Sequence, residues 1–264
     1  MNRFPHYTKP SPKKQTAQLK KSIEILFELW YDKQNNVHGG ITMPKTPEQI
    51  NAIIAELERL YPDGPDLCSL EYNKDYELLF SVRLAAQCTD ERVNQVTPGL
   101  FSRFPTLEAL AGADVSEVEE LVHSTGFFRA KARDIVLASQ MLVEQHGGKV
   151  PGTMEELLKL PGVGRKTANL MLGDVFKVPG VVVADTHCIR ITGLLGLTDG
   201  SKDPTKVEMQ LRAVLPPEKS NDFCHRMVLH GRAVCIARRP QCESCTLRMW
   251  CDHFMKQEGT SHEE

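Results

Sequence analysis

Four of the eight cysteines lie within 17 residues near the C-terminus, and this cluster limits the fold more than any other feature of the sequence. The pattern is Cys235-x6-Cys242-x2-Cys245-x5-Cys251. A zinc ribbon usually joins two C-x-x-C knuckles that lie roughly 15 to 20 residues apart, whereas this loop has one knuckle between longer spacers. Four thiolates in one tight loop favour an iron–sulfur cubane, and a tetrahedral zinc ion is the alternative that the spacing leaves open.

The start of the sequence bears on the redox state of these thiols. Residues 1–21 carry six basic side chains and no apolar stretch of the kind that forms the core of a signal peptide. We therefore expect a cytoplasmic protein, in whose reducing surroundings clustered cysteines bind a metal rather than form disulfides. The scattered cysteines are expected to be structural, and they are Cys68, Cys88, Cys188 and Cys224.

Beyond the cysteines, the sequence pattern is helical. Thr46 to Gln49 forms a T-x-x-Q capping box, and Pro47 stands at the first helical position before apolar residues at helical spacing. The segment Tyr76–Ala86 is apolar enough for a largely buried helix, and the one β-branched run, Val181–Val183, is too short to form a sheet. With 264 residues, 41% hydrophobic and 25% charged, the chain is typical of a globular protein. We predict an all-α fold without a membrane span.

The N-terminal residues 1–45 differ from the rest because they are mostly polar and basic. We interpret them as a poorly defined extension. Met43 directly precedes the first well-patterned helix, so a true start at Met43 is an alternative that the sequence leaves open.

An internal repeat with a period of 36 residues relates Glu119–Arg129 to Glu155–Arg165. Each copy predicts a helix, a glycine turn and a second helix, and chance similarity of two amphipathic helices is the alternative. In the second copy the two glycines allow backbone N–H groups to approach an anion, as in the grip on a DNA backbone, although a plain helix-ending turn has the same pattern. The candidate contacts are Gly162, Val163, Gly164 and Arg165.

Two further residues are candidates for catalysis. Lys166 begins the helix after this turn, and its amine is a usable nucleophile, although most lysines at such positions are solvated surface residues. Asp185 follows an apolar run and precedes another helix, where it is either a plain N-cap or a carboxylate facing the amine. An amine and a carboxylate across one groove are what a Schiff-base mechanism needs.

The charge distribution also changes along the chain. The formal net charge is −2, which by itself suggests no nucleic-acid partner. Between His225 and Cys251, however, there are five arginines and one glutamate, a local net charge of +4. Arg238 and Arg239 lie inside the cysteine loop, and a basic patch held by a metal site is preorganised to contact phosphates.

Taken in order, these motifs resemble the endonuclease III family of DNA glycosylases, in the helix-hairpin-helix superfamily. The resemblance covers roughly Thr46 to Cys251 and rests on the segments Ala85–Asp90, Leu160–Ala168 and Ala184–His187 and on the cysteine loop. It implies a two-lobed helix-hairpin-helix DNA glycosylase fold with double-stranded DNA in the groove between the lobes. It also implies a 4Fe-4S cluster on the four cysteines.

The lobes implied by the resemblance interleave along the chain. Residues 70–178 form a six-helix lobe that contains the helix-hairpin-helix. Residues 46–69 and 179–255 together form the iron–sulfur cluster lobe, and residues 256–264 are a polar tail. We expect a monomer that is associated with the nucleoid when it is bound to DNA.

The resemblance also assigns roles to single residues. Lys166 corresponds to the catalytic lysine and Asp185 to the essential carboxylate of a bifunctional glycosylase and AP lyase. Such an enzyme removes an oxidised pyrimidine through a lysine Schiff base and nicks the strand 3′ to the lesion by β-elimination. Gln87, Phe127 and His187 correspond to residues that fill the hole left by the flipped base or contact the neighbouring strand.

This sequence departs from the common family pattern at four positions. Phe127 replaces an aliphatic residue, Ala85 a serine, Ala184 a valine and Gln241 a basic residue. A monofunctional mismatch-specific glycosylase of the same fold is one alternative, and Lys166 argues against it. A non-catalytic DNA-binding module is the other, and the presence of Lys166 together with Asp185 argues against that.

Overall fold

The structure is a computed structural model that describes residues 45–62 and 67–260. The described part contains α-helices and short 3₁₀ turns and no strand, which confirms the predicted all-α fold. None of these helices is long and apolar enough to cross a bilayer. The helices are α1 (Pro47–Leu60), α2 (Asp75–Leu84), α3 (Asp90–Arg103), α4 (Leu107–Ala111), α5 (Val115–Val122), α6 (Phe128–His146), α7 (Met154–Leu157), α8 (Arg165–Asp174), α9 (Thr186–Leu195), α10 (Pro204–Val214), α11 (Ser220–Ala233) and α12 (Asp252–Thr260).

The first helix begins as the sequence predicts. The Thr46 hydroxyl accepts the N–H of Gln49 at 3.3 Å, and the Gln49 side chain accepts the N–H of Thr46 at 3.0 Å, which closes the capping box. Pro47 occupies the first turn, where no intrahelical N–H is needed. The apolar face of α1 is buried through Ile50, Ile53, Ile54 and Leu57.

The predicted buried helix over Tyr76–Ala86 is α2, which begins one residue earlier and ends two residues earlier. Its centre is buried on several sides, with Leu78, Leu79 and Phe80 each at most 2% exposed. The helix stops at Leu84 because the chain then turns toward Gln87, which has a positive φ of 56°. Residues 85–89, between α2 and α3, therefore form a turn.

Both copies of the internal repeat are helix–turn–helix units. In the first, α5 and the 3₁₀ turn His123–Thr125 lead through Gly126 into α6. In the second, the short α7 leads through Gly162 into α8. Both turn glycines have positive φ, 71° and 74°, a region that side-chain-bearing residues rarely adopt.

Gly162 is constrained by its neighbours as well as by its backbone angle. A Cβ atom at this position would lie 2.6 Å from Nε of Arg83 and 2.7 Å from Oδ2 of Asp134. Arg83 on α2 and Asp134 on α6 are themselves joined by hydrogen bonds of 2.8 and 2.7 Å to one carboxylate oxygen. The glycine turn of the second repeat thus packs directly on an ion pair that links α2 to the first repeat.

The C-terminal helices bring the cysteine loop back to the rest of the fold. Residues Val181 to Ala184 form a buried extended segment before α9, which packs against α11 and α12. Lys45 is buried and forms an ion pair with Asp252, at the start of α12. Residues 1–44 of the predicted extension, which include Met43, lie outside the described residues. The boundaries of the two lobes and the monomeric state stay predictions.

The predicted polar tail, residues 256–264, begins within α12.

The two glycines of the second turn, Gly162 and Gly164, differ in the space around them and in backbone angle. Substitution by serine at each position tests this difference. Gly162→Ser should lower the free energy of unfolding by about 1–3 kcal/mol, because it combines a positive φ with contact on the ion pair. Gly164→Ser should leave stability unchanged or raise it, because a Cβ there meets open space and serine caps α8. Urea denaturation of both variants measures the difference, and equal losses would contradict this explanation.

Candidate active site

The two candidate catalytic residues line the same groove. Lys166, in the first turn of α8, and Asp185, directly before α9, both border a cavity of about 490 Å³. This volume lies within the range of small-molecule sites. The wall also carries other polar residues, among them Gln87, Asp90, His225 and Arg232.

Asp185 is the N-cap of α9 and also lines the groove. Its Oδ1 accepts the backbone N–H of Cys188 at 2.7 Å at the start of α9. The preceding buried segment ends at Ala184 and fixes where the carboxylate emerges. Because one oxygen is used by the cap, the carboxylate is held in a fixed orientation at the groove.

Lys166 is exposed at the beginning of α8. The N-cap position of this helix is Gly164, which has no side chain to accept a hydrogen bond from the first N–H groups. Helix N-termini with open N–H groups favour anions. The start of α8 therefore offers an exposed amine next to a potential phosphate site.

Arg165, next to the amine, is engaged by a carboxylate. Its Nε and Nη2 donate to the two carboxylate oxygens of Glu208 at 2.7 and 2.8 Å. Nη2 of Arg212 lies 3.0 Å from Oε1 of the same carboxylate. The Glu208 side chain is only 3% exposed, whereas that of Arg165 is 44% exposed. Arg165 therefore fastens α8 to α10 while part of its side chain faces solvent.

The structure adds a second carboxylate that the sequence interpretation did not single out. Asp90 accepts hydrogen bonds from Arg232 at 2.6 Å and from the Ser69 hydroxyl at 2.5 Å. Burial raises the pKa of Asp90, but these donors and the charge of Lys166 hold it below its ordinary value. The proximity of Lys166 places this carboxylate in the site. The signal in the sequence was the segment Ala85–Asp90, which ends at this residue.

Two of the predicted DNA contacts have strained backbones. Gln87 and Phe127 have φ angles of 56° and 47°, and Lys177 is the one other non-glycine residue with positive φ in the part of the chain that the structure describes. The Phe127 side chain is 68% exposed at the start of α6, and Gln87 borders the groove. Residues held in this region often mark functional sites, because the surrounding fold must maintain them.

His187 is less accessible than the sequence interpretation implied. It follows Asp185 by two residues, but its Nδ1 is buried without a hydrogen-bond partner among the described residues. A Cβ atom on Gly231 would lie 2.3 Å from this nitrogen, so α11 packs closely on the ring. Burial is the main cause that lowers the pKa of His187.

The remaining predicted DNA contacts lie on exposed loops. Gly162 and Gly164 are exposed in the hairpin turn, and Val163 between them is half-buried. Arg238 and Arg239 are exposed within the cysteine loop. The structure thus presents two cationic or N–H-bearing loops to solvent, as phosphate binding requires.

The four clustered cysteines line one small cavity of about 40 Å³. None forms a disulfide, and Arg190 donates a hydrogen bond to the Cys235 sulfur at 3.3 Å. Burial, together with the charges of the other three cysteines, raises the pKa of Cys245. Among the described residues no three His, Cys, Asp or Glu side chains form a compact metal-ion site. Four free thiols around a common space nevertheless have the chemistry of a cluster-binding donor set.

Comparison with known proteins places this arrangement in a family. The family model of the HhH-GPD superfamily base excision DNA repair protein matches residues 80–217. Endonuclease III of Synechocystis is 46% identical over 79% of this chain and 94% of its own length. Endonuclease III of Bacillus subtilis is 36% identical over 80% of this chain and 95% of its own length.

A solved structure agrees with the sequence relatives. The trapped covalent intermediate of an endonuclease III with DNA matches with a TM-score of 0.75 and 38% identity, over 81% of this chain and 99% of that one. These relatives and this structure are matched over nearly their whole length. The residues that the family model matches include Lys166 and Asp185. The chain therefore belongs to the HhH-GPD superfamily of base excision DNA repair proteins and, within it, to the endonuclease III family.

Proposed function

We propose that this protein is a bifunctional DNA glycosylase and AP lyase of base excision repair, with Lys166 as its nucleophile. The observation that carries the proposal is that Lys166 and Asp185 border one groove, next to a strained Gln87. A covalent protein–DNA intermediate was trapped for a related endonuclease III, and an amine nucleophile accounts for such a bond. A monofunctional glycosylase has no use for an amine at this position.

The first chemical step replaces one bond at the sugar with another. A damaged nucleotide is flipped out of the duplex into the groove. The Lys166 nitrogen forms a bond to C1′, and the bond from C1′ to the base breaks, so that the base leaves with the electron pair. Asp185 stabilises the positive charge that develops on the sugar and helps to take a proton from the attacking amine.

The second step cuts the strand. Ring opening of the sugar leaves an imine between Lys166 and C1′. Because the imine acidifies C2′, a proton is lost there, and the C3′–O bond breaks with departure of the phosphate. The strand is thus nicked 3′ to the lesion. Hydrolysis of the imine frees the lysine for another cycle.

Oxidised pyrimidines are the proposed substrates. The groove volume of about 490 Å³ accommodates a single flipped nucleoside rather than a longer segment. Its wall carries hydrogen-bonding groups of Gln87, Asp90 and His225 and apolar side chains such as Leu170. Oxidation makes a pyrimidine less planar and adds polar atoms, which such a mixed wall can recognise.

DNA is held through its backbone, in our proposal. The N–H groups around Gly162 and Gly164 contact phosphates on one side of the lesion, and Arg238 and Arg239 contact them on the other. Phe127 and Gln87 enter the space that the flipped nucleotide leaves. His187 packs against Gly231 and supports the start of α9.

The four clustered cysteines line one cavity, and their thiolates would hold a 4Fe-4S cluster there. When bound, the cluster supplies a rigid cross-link of the loop that carries Arg238 and Arg239. The protein's own contribution is the hydrogen bond from Arg190 to Cys235, which ties the loop to α9. A reducing cytoplasm, our proposed location, keeps these thiols available.

The proposed nucleophile predicts a covalent adduct that depends on one amine. Borohydride should trap the protein on duplex DNA with an abasic site or thymine glycol, and Lys166→Gln should abolish the adduct. Lys202→Gln, an exposed lysine that is not on the groove wall, is the matched control and should trap as the parent protein does. Denaturing gel electrophoresis measures the adduct, and undiminished trapping by Lys166→Gln would exclude Lys166 as the nucleophile.

The two roles of Asp185 can be separated by one substitution. Asp185→Asn keeps a good N-cap and removes the charge, so stability should be unchanged while single-turnover base excision falls at least about 100-fold. Asp203→Asn is the control, because Asp203 caps α10 in the same way on the exposed surface. If both variants excise the lesion at the parent rate, the carboxylate of Asp185 has only a capping role.

The cluster proposal predicts the metal content of the native protein. Protein purified without oxygen should hold about four irons per chain and absorb broadly in the visible range. Cys245→Ser should lose most of both signals, whereas Cys88→Ser, outside the cysteine cavity, should keep them. Elemental analysis and absorbance test this, and stoichiometric zinc in place of iron would refute it.

A further inference from the structure

Lys131 on α6 is buried more completely than any other lysine in the described part of the chain, with an exposed fraction of 0%. Its ammonium donates to two backbone carbonyl oxygens, that of Leu84 at 2.7 Å and that of Thr125 at 2.8 Å. Both acceptors are neutral. The charge is therefore held by two carbonyl dipoles from two different segments.

Each of these two carbonyls lies at the end of a helical segment, a few residues before a residue with positive φ. Leu84 is the last residue of α2, and Thr125 is the last residue of the 3₁₀ turn before α6. Three residues after Leu84 comes Gln87, and two residues after Thr125 comes Phe127, the two left-handed residues of the site. Lys131 thus bridges the starting points of both strained turns.

Burying this ammonium is costly. Transfer of a charged amine out of water is strongly unfavourable unless it is well hydrogen-bonded. Burial lowers the pKa of Lys131 below its ordinary value, which reflects the same cost. Carbonyl groups at helix C-terminal ends attract cations and recover part of it. An apolar side chain would fill the same space without this cost, but it could not hold two carbonyls at a fixed separation.

We propose that Lys131 is a positioning residue that sets the separation of the Gln87 and Phe127 turns, so that both side chains enter the duplex together. The inference rests on the proposed function, in which these residues fill the space left by the flipped nucleotide. Thr125 is buried and its hydroxyl donates to the carbonyl of Val122 at 2.8 Å, which keeps the second turn rigid. Without the shared ammonium, each turn relaxes independently.

The proposal predicts that loss of Lys131 affects the reaction on duplex DNA but not the reaction on single-stranded DNA. In duplex DNA the lesion must be extruded and its place filled, so the reaction needs both turns in register. In single-stranded DNA with an abasic site there is no pair to open and no hole to fill, so the reaction needs only the groove with Lys166 and Asp185. A loss that comes from positioning therefore affects the duplex alone.

The test compares strand cleavage of duplex and single-stranded abasic DNA by Lys131→Gln and Lys131→Met. The duplex rate should fall roughly 10- to 100-fold, the loss expected when reacting groups are misplaced, and the single-strand rate should stay within about twofold. Ser139→Ala is the matched control, since Ser139 is also buried on α6 and donates to a carbonyl, that of Ile135 at 2.8 Å, away from both turns. It should leave the ratio of the two rates unchanged.

A second measurement does not depend on the folding of the Lys131 variants. Gln87→Ala, Phe127→Ala and the double variant change exposed side chains. If the turns act as one unit, the double variant should lose little more duplex activity than the worse single variant. Fluorescence of 2-aminopurine opposite a stable abasic analogue should report the same loss of insertion in all of these variants and in Lys131→Gln.

The outcomes are distinct. Equal loss of both rates in the Lys131 variants would show that Lys131 serves only the fold and would overturn the proposal. Additive losses for Gln87→Ala and Phe127→Ala would also overturn it. Failure of the parent protein to form an adduct on abasic or thymine glycol DNA would instead refute the proposed function.

Discussion

The active groove depends on the contact between a glycine turn and an ion pair. Gly162 leaves no room for a side chain because Arg83 and Asp134 occupy the space where a Cβ would stand. Arg83 belongs to α2, which leads to Gln87, and Asp134 belongs to α6, which begins after Phe127. The turn itself leads into Lys166. One close contact therefore links the position of Lys166, the proposed nucleophile, to both residues that are proposed to enter the duplex.

Residues at the helix termini also serve both the fold and the site. Asp185 caps α9 and presents a carboxylate to the groove, and the uncapped start of α8 presents N–H groups and the amine. Helix ends leave backbone N–H and C=O groups without intrahelical partners, and these groups can bind charged groups directly. The buried ammonium of Lys131 binds the carbonyls of Leu84 and Thr125, and in our proposal it thereby holds the turns of Gln87 and Phe127. Catalytic geometry in this fold is therefore built mainly from the ends of helices rather than from their faces.

Local patterns in the sequence predicted most of the helical fold and singled out Lys166 and Asp185, the two residues that we propose to act in the reaction. The capping box at Thr46, the buried helix α2, the two helix–turn–helix repeats and the shared groove of Lys166 and Asp185 all follow from residues close together in the chain. The sequence did not predict the partners that lie far apart in it. Arg232 and Asp90 are 142 residues apart, Arg83 and Asp134 are 51 apart, and Lys131 and Leu84 are 47 apart. Such pairings depend on tertiary packing and leave no periodic signal.

Ion pairing also explains how a nearly neutral chain can present a cationic surface. Glu208 engages Arg165, and Asp90 engages Arg232, so two arginines near the groove serve to fix helices. Within the described residues Arg238 and Arg239 make no ion pair and are exposed, and Lys166 is exposed as well. Binding to DNA by release of counterions depends on how many cations reach phosphates rather than on the net charge of the protein. Because other arginines are paired within the fold, Lys166, Arg238 and Arg239 stay exposed, where the phosphates of a DNA backbone can contact them. The acidic residues elsewhere in the chain keep the net charge at −2.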